Sequence, residues 1–295
     1  NALLSNTTAT VNTAVGRDAL KTNTTGGSNT AVGHGALQAN TTANDNVAVG
    51  REAMYTNTTG TENTAVGHDA LYSNTTENSN SAFGFQALRA NTNDANTGIG
   101  YRALCSNTSG CLNTALGTSA GRDITTGDNN LTLGYFAGRS SSPSGAITTG
   151  NNNVVLGDDN ISNLFCADTS ISSSDLRDKT DIEDFTHGLD FVTKLNPKTY
   201  RWDKRSWYIT NNDQSILDVT PDGSKKKNKK HIGFLAQDVL ALEKEIGFAN
   251  DRDDMLVVNK TEDETRYGLK YERLVPVLVN AIKELTARVK ELENN

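Results

Sequence analysis

The chain has 295 residues, enough for about two domains, with a net charge of −7 and 35% hydrophobic residues. No apolar run approaches the ~20 residues that a transmembrane helix requires, and no signal-peptide pattern is present, so we expect no membrane insertion. The acidic balance and the scattered His and Cys residues argue against nucleic-acid binding, a metal site or a disulfide framework.

Composition changes near residue 170. Residues 1–170 contain 20 of the 25 glycines but only 19 charged side chains, whereas residues 171–295 contain 44 charged side chains and both tryptophans. We therefore expect a first domain over residues 1–160, a linker over 161–173 and a second domain over 174–295. The sequence opens inside its own pattern, as a fragment of a longer protein would.

The first domain is an internal repeat. The phrase Asn12-Thr13-Ala14-Val15-Gly16 recurs nine times, and most of its glycines are 17 residues apart. The ninth copy ends at Gly157 after a six-residue insertion around Ser140–Pro143. A second apolar pair, such as Ala19-Leu20, follows most of these glycines at fixed spacing, and an Asn-Thr pair follows that.

A 17-residue repeat is too short for two helices, and pieces rich in Thr and Gly are poor helix formers. The pattern instead predicts a β-solenoid in which each coil has two strands of about four residues and two tight turns. We expect the Asn side chains to pair from coil to coil, and the Gly at one corner to allow a positive φ or close backbone approach.

These repeats resemble the head of YadA-like trimeric autotransporter adhesins, in which a similar Asn-Ser/Thr-x-Ala-Val/Ile-Gly phrase marks each coil of a β-roll. The resemblance implies that three rolls pack side by side. It is also compatible with binding of a host cell-surface receptor, either a glycan or a protein, by the repeat region.

Three features of the repeat have a functional and a structural interpretation. Asn-x-Thr could mark glycosylation, but a structural Asn ladder is favoured. His34 and His68 occupy one coil position and could form a metal or anion site, but Arg17, Arg51, Phe85 and Tyr101 share that position, which favours a general surface or interface role. Cys105 and Cys111 could pair, whereas idle thiols are favoured; Cys166 stands apart.

Four blocks of the second domain occur in a recognisable order, beginning at Ser174-Asp175-Leu176-Arg177-Asp178-Lys179. The others begin at Leu195, His231 and Tyr267. Residues 170–292 thereby resemble the peptidase S74 domain, the intramolecular chaperone of phage tail fibres, tailspikes and endosialidases. The resemblance implies an α+β domain that trimerises the fibre and then cuts itself from it.

The family motif, Ser-Asp-x-Arg-x-Lys, assigns the reaction by resemblance. It implies Ser174 as nucleophile, Lys179 as general base, cleavage between Ser173 and Ser174, and supporting roles for Asp175 and Arg177. Asp178 replaces a residue that is often Leu, and its carboxylate would favour the charged form of Lys179. The alternative is that Ser174-Asp175 caps a helix and Lys179 is a surface residue.

A serine hydroxyl needs an adjacent base, and a lysine can accept its proton only when neutral. Because a lysine amine ordinarily has a pKa of ~10.4, burial or nearby cations must favour the neutral form. In an unassembled chain the amine is hydrated. Trimer packing would desolvate it, so cleavage would depend on assembly.

A heptad pattern predicts a C-terminal helix over residues 271–294. Its apolar positions repeat at steps of four and three: Tyr271, Val275, Leu278, Ile282, Leu285, Val289 and Leu292. A second amphipathic helix is predicted from Leu235 to Ile246. Lys225–Lys230 could contact an anionic glycan or nucleic acid, although a solvated hairpin loop is favoured.

Together these patterns predict the C-terminal part of a trimeric phage tail fibre or receptor-binding protein, carried on the virion and assembled in the host cytoplasm. Its chaperone domain would cleave itself once, without a cofactor or metal. The alternative is a fibre tip that trimerises or adheres but does not cut. A glycan hydrolase ranks last, because no pair of carboxylates recurs in the repeat.

Overall fold

The computed structural model describes residues 1–161, 163–164, 174–209, 215–261 and 264–294. The chain divides into two compact units, Asn1–Ile161 and Ser162–Asn295. Most of the predicted linker, residues 161–173, lies outside the described residues, as does Cys166. Each unit is described by itself.

The first unit is a β-solenoid of 17-residue coils, as the repeat predicted. Each coil contributes one strand to a single nine-stranded parallel sheet, and successive strands pair in sequence order. Pairing joins equivalent repeat positions, for example Ala14 with Ala31, and it continues across the six-residue insertion, where Leu131 pairs with Val154. The strands are Thr13–Val15 (β1), Thr30–Val32 (β2), Val47–Val49 (β3), Thr64–Val66 (β4), Ser81–Phe83 (β5), Thr97–Ile99 (β6), Thr114–Leu116 (β7), Leu131–Leu133 (β8) and Val154–Leu156 (β9).

The prediction of two four-residue strands per coil is wrong: each coil has one strand of three residues. The second apolar pair lies in a turn, because residues such as Asp18 and Leu20 have φ values of 60° and 48°. That left-handed backbone cannot continue a strand. It directs the leucine inward, where Leu20 and its equivalents are fully buried beside the strand alanines.

The glycine after each strand allows close contact between coils. At Gly33, φ is 139°, and a Cβ atom placed there would lie 2.3 Å from the carbonyl oxygen of Gly50. Any other residue would push the coils apart, which explains why glycine returns at this corner.

Two columns of asparagines join the coils, which confirms the predicted ladder. In the corner ladder (the column from Asn6 to Asn107), the amide of Asn40 donates to Asn23 Oδ1 at 2.7 Å, and the next coil repeats the bond. In the strand ladder (the column from Asn12 to Asn153), each side-chain carbonyl accepts the backbone N–H of the next asparagine at 2.8–3.0 Å. From Asn23 to Asn107 the side chains of the corner ladder are fully buried, so these asparagines are inaccessible to glycosylation in the folded protein.

The corner ladder stops at Asn107, because Ile124 takes the equivalent place in the next coil. Asn107 Oδ1 is buried and has no hydrogen-bond partner among the described residues. An unpaired buried acceptor costs about 1–3 kcal/mol.

The second unit is a small α+β region. Its antiparallel pairs join Lys198–Tyr200 (β10) to His231–Gly233 (β11) and Val258–Lys260 (β12) to Tyr267–Leu269 (β13). Its helices are Leu189–Val192 (α1), Ala236–Glu245 (α2) and Leu274–Glu293 (α3). A 3-10 turn over Tyr271–Arg273 precedes α3, so the predicted C-terminal helix is confirmed with a 3-10 first turn.

A buried carboxylate ties α2 to β12. Glu243 is fully buried, and its oxygens accept the backbone N–H groups of Leu256, Val257 and Val258 at 2.6–3.2 Å. The surrounding core includes Phe191 and Val239, against which one face of α3 packs. The first half of α3 is thereby fixed to the unit.

We predict that Ile124→Asn destabilises the solenoid less than a buried apolar-to-polar substitution usually does. The new amide would donate to the unpaired Oδ1 of Asn107, offsetting most of its own desolvation, so the remaining loss is that of the buried isoleucine contacts, about 2 kcal/mol. The matched control is Leu104→Asn, which is equally buried but lies outside the ladder, and which should cost at least about 3 kcal/mol. Apparent melting temperatures compare the two; equal losses would contradict the ladder explanation.

Candidate active site

The candidate site lies within six consecutive residues. Leu176–Asp178 form one 3-10 turn, and Asp175 caps its start by accepting the backbone N–H of Arg177 at 2.9 Å. Lys179 ends the turn, and its N–H donates to the carbonyl of Leu176 at 3.2 Å. The turn folds the segment back, so residues 174 and 179 face each other.

An ion pair supports this turn. The guanidinium of Arg177 donates to both carboxylate oxygens of Asp175, at 3.0 Å through Nε and 2.6 Å through Nη2. These side-chain bonds hold the pKa of Asp175 below its usual value and raise the pKa of Arg177. Both groups stay charged at neutral pH, and the pair bridges the turn that carries Lys179; because the Arg177 side chain is 87% exposed, its contribution is modest.

The turn places Lys179 Nζ 2.7 Å from Ser174 Oγ, with the amine donating. That is the contact that a serine nucleophile and a lysine base require, with the proton on the other atom. The predicted scissile bond involves Ser173, which lies outside the described residues, as does the side chain of Asp178. The catalytic roles of Ser174 and Lys179 stay predictions.

Both readings of this segment are visible in the geometry. Asp175 does cap a helical turn and Lys179 is exposed, as the structural alternative expected, yet the same turn brings the amine to the hydroxyl. The exposed amine is in contact with water.

Two apolar side chains beside the site were not singled out from the sequence. Leu176 is 71% exposed and Ile182 is 63% exposed, although both lie in a strongly polar stretch. The signal that could have found them is their isolation among charged residues. Both lie within three residues of Lys179 in the chain.

The other candidate residues lie apart from this site. His34 Nε2 is 2.6 Å from Arg17 Nη2, and His68 stacks on Phe85, so the two histidines do not meet. Cys105 and Cys111 are both free, as expected. Within the described ranges, no group of three or more His, Cys, Asp or Glu side chains is placed to hold a metal ion.

Comparison with known families decides what this segment is. A family model described as Peptidase_S74, chaperone of endosialidase, matches residues 174–248 and begins at the serine of the 2.7 Å contact. Residues 174–248 are thus similar to the peptidase S74 family. The match covers about a quarter of the chain. No curated protein and no solved structure matches the chain in the same comparisons.

An S74 domain that follows a β-solenoid fits a phage tail fibre, and the family indicates a self-cleaving peptidase at this coarse level. The match ends at residue 248, so the resemblance of residues 249–292 and that of the repeats to adhesin heads stay predictions. In the described part of the chain, no helix is both long and apolar enough to cross a membrane.

Proposed function

We propose that this chain is part of a homotrimeric phage tail fibre whose S74 domain aligns three chains and then cuts the peptide bond between Ser173 and Ser174. The observation that carries the proposal is the 2.7 Å contact between Lys179 Nζ and Ser174 Oγ at the start of the S74 match. The domain acts on its own chain, once. The fibre would belong to the virion, where the repeat region is available to a host receptor.

The exposed face of α3 supports association of copies. Leu274, Val277 and Ala281 are buried against the unit, whereas the seven residues of the heptad seam are exposed. An apolar seam with a spacing of four and three residues is typical of a helix that packs against other helices. Second and third copies of the same helix would cover it.

The outer face of the solenoid supports the same conclusion. The middle residue of each strand points into the coil, so the third residue points out. At this third position every coil has an apolar side chain: Val15, Val32, Val49, Val66, Phe83, Ile99, Leu116, Leu133 and Leu156. Such an unbroken apolar stripe marks an interaction surface. Packing of three solenoids along this stripe would cover it.

Assembly would control cleavage by changing how far water reaches the Lys179 amine. In the single chain, Lys179 and Ser174 already touch, but both are exposed. A neighbouring copy that packs on this exposed turn would exclude water from the amine and favour its neutral form. The proton of Ser174 could then move to Lys179 as the serine oxygen attacks the carbonyl carbon of residue 173. The leaving amine of Ser174 would take that proton when the C–N bond breaks, which leaves the acyl group of residue 173 as an ester on Ser174 Oγ. A water molecule would then hydrolyse this ester, releasing the carboxylate of residue 173 and restoring the serine hydroxyl.

We predict that the trimer yields two fragments on denaturing electrophoresis and that Ser174→Ala leaves one band near 31.6 kDa. Only the attacking oxygen is lost, so the variant should still trimerise. N-terminal sequencing of the smaller fragment should begin Ser174-Asp175, and Ser172→Ala is the matched control that should cleave normally. A different first residue would contradict the predicted cleavage site, and cleavage of Ser174→Ala would contradict the assignment of Ser174 as nucleophile. Native chain that trimerises but stays whole would favour the non-cleaving fibre tip.

Lys179→Ala should slow cleavage by about 10²–10⁴-fold, the usual contribution of a general base. Lys179→Arg should do no better, because a guanidinium stays protonated. The control is Lys194→Arg, at a lysine that forms a surface ion pair with Glu245. Cleavage is followed by gel densitometry after trimerisation. A native rate for Lys179→Arg would show that another group is the base.

We predict that residues 174–295 are needed for folding but not for persistence of the folded fibre. Removing them by self-cleavage after assembly should leave a heat- and detergent-resistant trimer of residues 1–173, because unfolding requires many stacked coils to open together. Deleting them before expression should give aggregate or monomer. Size-exclusion chromatography with light scattering compares the two preparations; the same trimer from both would rule out a chaperone role.

A further inference from the structure

The segment that carries the candidate dyad, residues 174–184 and here called the cleavage segment, makes its described bonds within itself. Every hydrogen bond and ion pair described for it joins two residues between positions 174 and 179. Its described residues are exposed, apart from the partly buried Asp175. The first described bond that follows it comes at Phe185, six residues after Lys179. What holds residue 185 therefore determines where the cleavage segment is attached to its unit.

The next five residues, 185–189 and here called the docked segment, lie on helix α3. The side-chain amide of Asn280 donates to the carbonyl of Phe185. Glu284, one helical turn further along, accepts the backbone N–H of Leu189 at 3.1 Å. Side chains four positions apart are neighbours on a helix, so both ends of the docked segment are bonded to the same face of α3.

Gly188 allows this contact because it has no side chain. A Cβ atom placed there would lie 2.6 Å from the backbone nitrogen of Ala281 and 2.3 Å from Glu284 Oε1. Non-bonded heavy atoms are most stable about 3.5–4.0 Å apart, so a larger residue would lift the docked segment from the helix. The Phe185 ring completes the attachment, since it packs against the core of the unit, 6.3 Å from the Phe248 ring.

The helix that holds the docked segment also presents the heptad seam. Leu278, Ile282 and Leu285 are between 44% and 63% exposed, whereas Ala281, which lies against Gly188, is buried. One stretch of α3 therefore carries the seam on one side and the docked segment on another. Association through the seam, as proposed above, would fix both α3 and the docked segment relative to the neighbouring copies.

We propose that Gly188, Asn280 and Glu284 are positioning residues that couple the association of α3 to cleavage. This inference rests on the proposed self-cleavage at Ser174. The three residues hold the docked segment on the helix, and they thereby place the cleavage segment where a neighbouring copy packs on it and excludes water. Without them the seam is intact and the chains still trimerise, but the exposed cleavage segment is no longer held in the position in which its groups react.

The test measures trimerisation and cleavage of the full chain separately. Each variant is made by cell-free translation, and over time the trimer is followed on native gels and the fragments on denaturing gels. Gly188→Ala should give a trimer yield within twofold of the native yield, but each trimer should cut at least tenfold more slowly, because the methyl group displaces the docked segment. The matched control is Gly268→Ala, at which an added Cβ atom meets no atom within 4 Å, and which should cut at the native rate.

Variants of Glu284 test the hydrogen bond without adding volume. Glu284→Ala removes the acceptor for the Leu189 N–H and should slow cleavage per trimer about tenfold. Glu284→Gln keeps an acceptor oxygen, so it should cut within about twofold of the native rate. The control on the same helix is Glu293→Ala, at an exposed glutamate outside the docked segment. These variants decide the matter even where Gly188→Ala does not trimerise.

Two outcomes would overturn the coupling. In the first, Gly188→Ala and Glu284→Ala trimerise and cut at the native rate, which would show that the docked segment does not position the site. In the second, Glu284→Gln is as slow as Glu284→Ala, or trimer and fragments decline in proportion, which would leave these residues a purely structural role. A native trimer that never cuts would contradict the proposed self-cleavage instead, so the two failures are distinguishable.

Discussion

The hydrogen bond between one coil and the next is the interaction on which the solenoid depends. A 17-residue coil buries two alanines and one leucine, and it cannot satisfy its own backbone polar groups. Strand N–H groups, turn carbonyls and asparagine amides all find their partners 16 or 17 residues away in most of the coils. The buried asparagines therefore act as part of the backbone network, and their identity is as constrained as that of the glycines.

This dependence on bonds between coils explains why the correct register between repeats is difficult to specify in such a chain. Every coil offers nearly the same donors and acceptors, so a shift by one coil restores most of the bonds and changes the free energy little. The second unit has no such repetition. Glu243, for example, has one set of three backbone partners, and the buried face of α3 has one core to pack against. Under the proposed function, this non-repeating unit would set the register that the solenoid alone leaves open.

The sequence allowed the solenoid, its period, the ladder and the C-terminal helix to be predicted, because regular spacing of glycines, asparagines and heptad positions favours one structure for each. It did not allow the turn at Ala19-Leu20 to be predicted, since an apolar pair favours a strand locally and only coil geometry gives leucine a positive φ. At the candidate site, resemblance indicated Ser174 and Lys179. The cap by Asp175 and the contacts that hold the docked segment on α3 depend on three-dimensional geometry, which spacing does not contain.

In-register pairing of the strands also determines how the length of the solenoid can change. Adjacent strands lie about 4.8 Å apart, so each coil adds that distance along the stacking direction. Loss or duplication of one coil would shorten or lengthen the solenoid by this fixed distance. The two coils brought together would still present matching hydrogen-bonding groups, so their pairing would be preserved. The extra residues near Ser140–Pro143 illustrate the complementary freedom: they enlarge one coil sideways, and β8 still pairs with β9. The length of the solenoid and the width of an individual coil can therefore change independently.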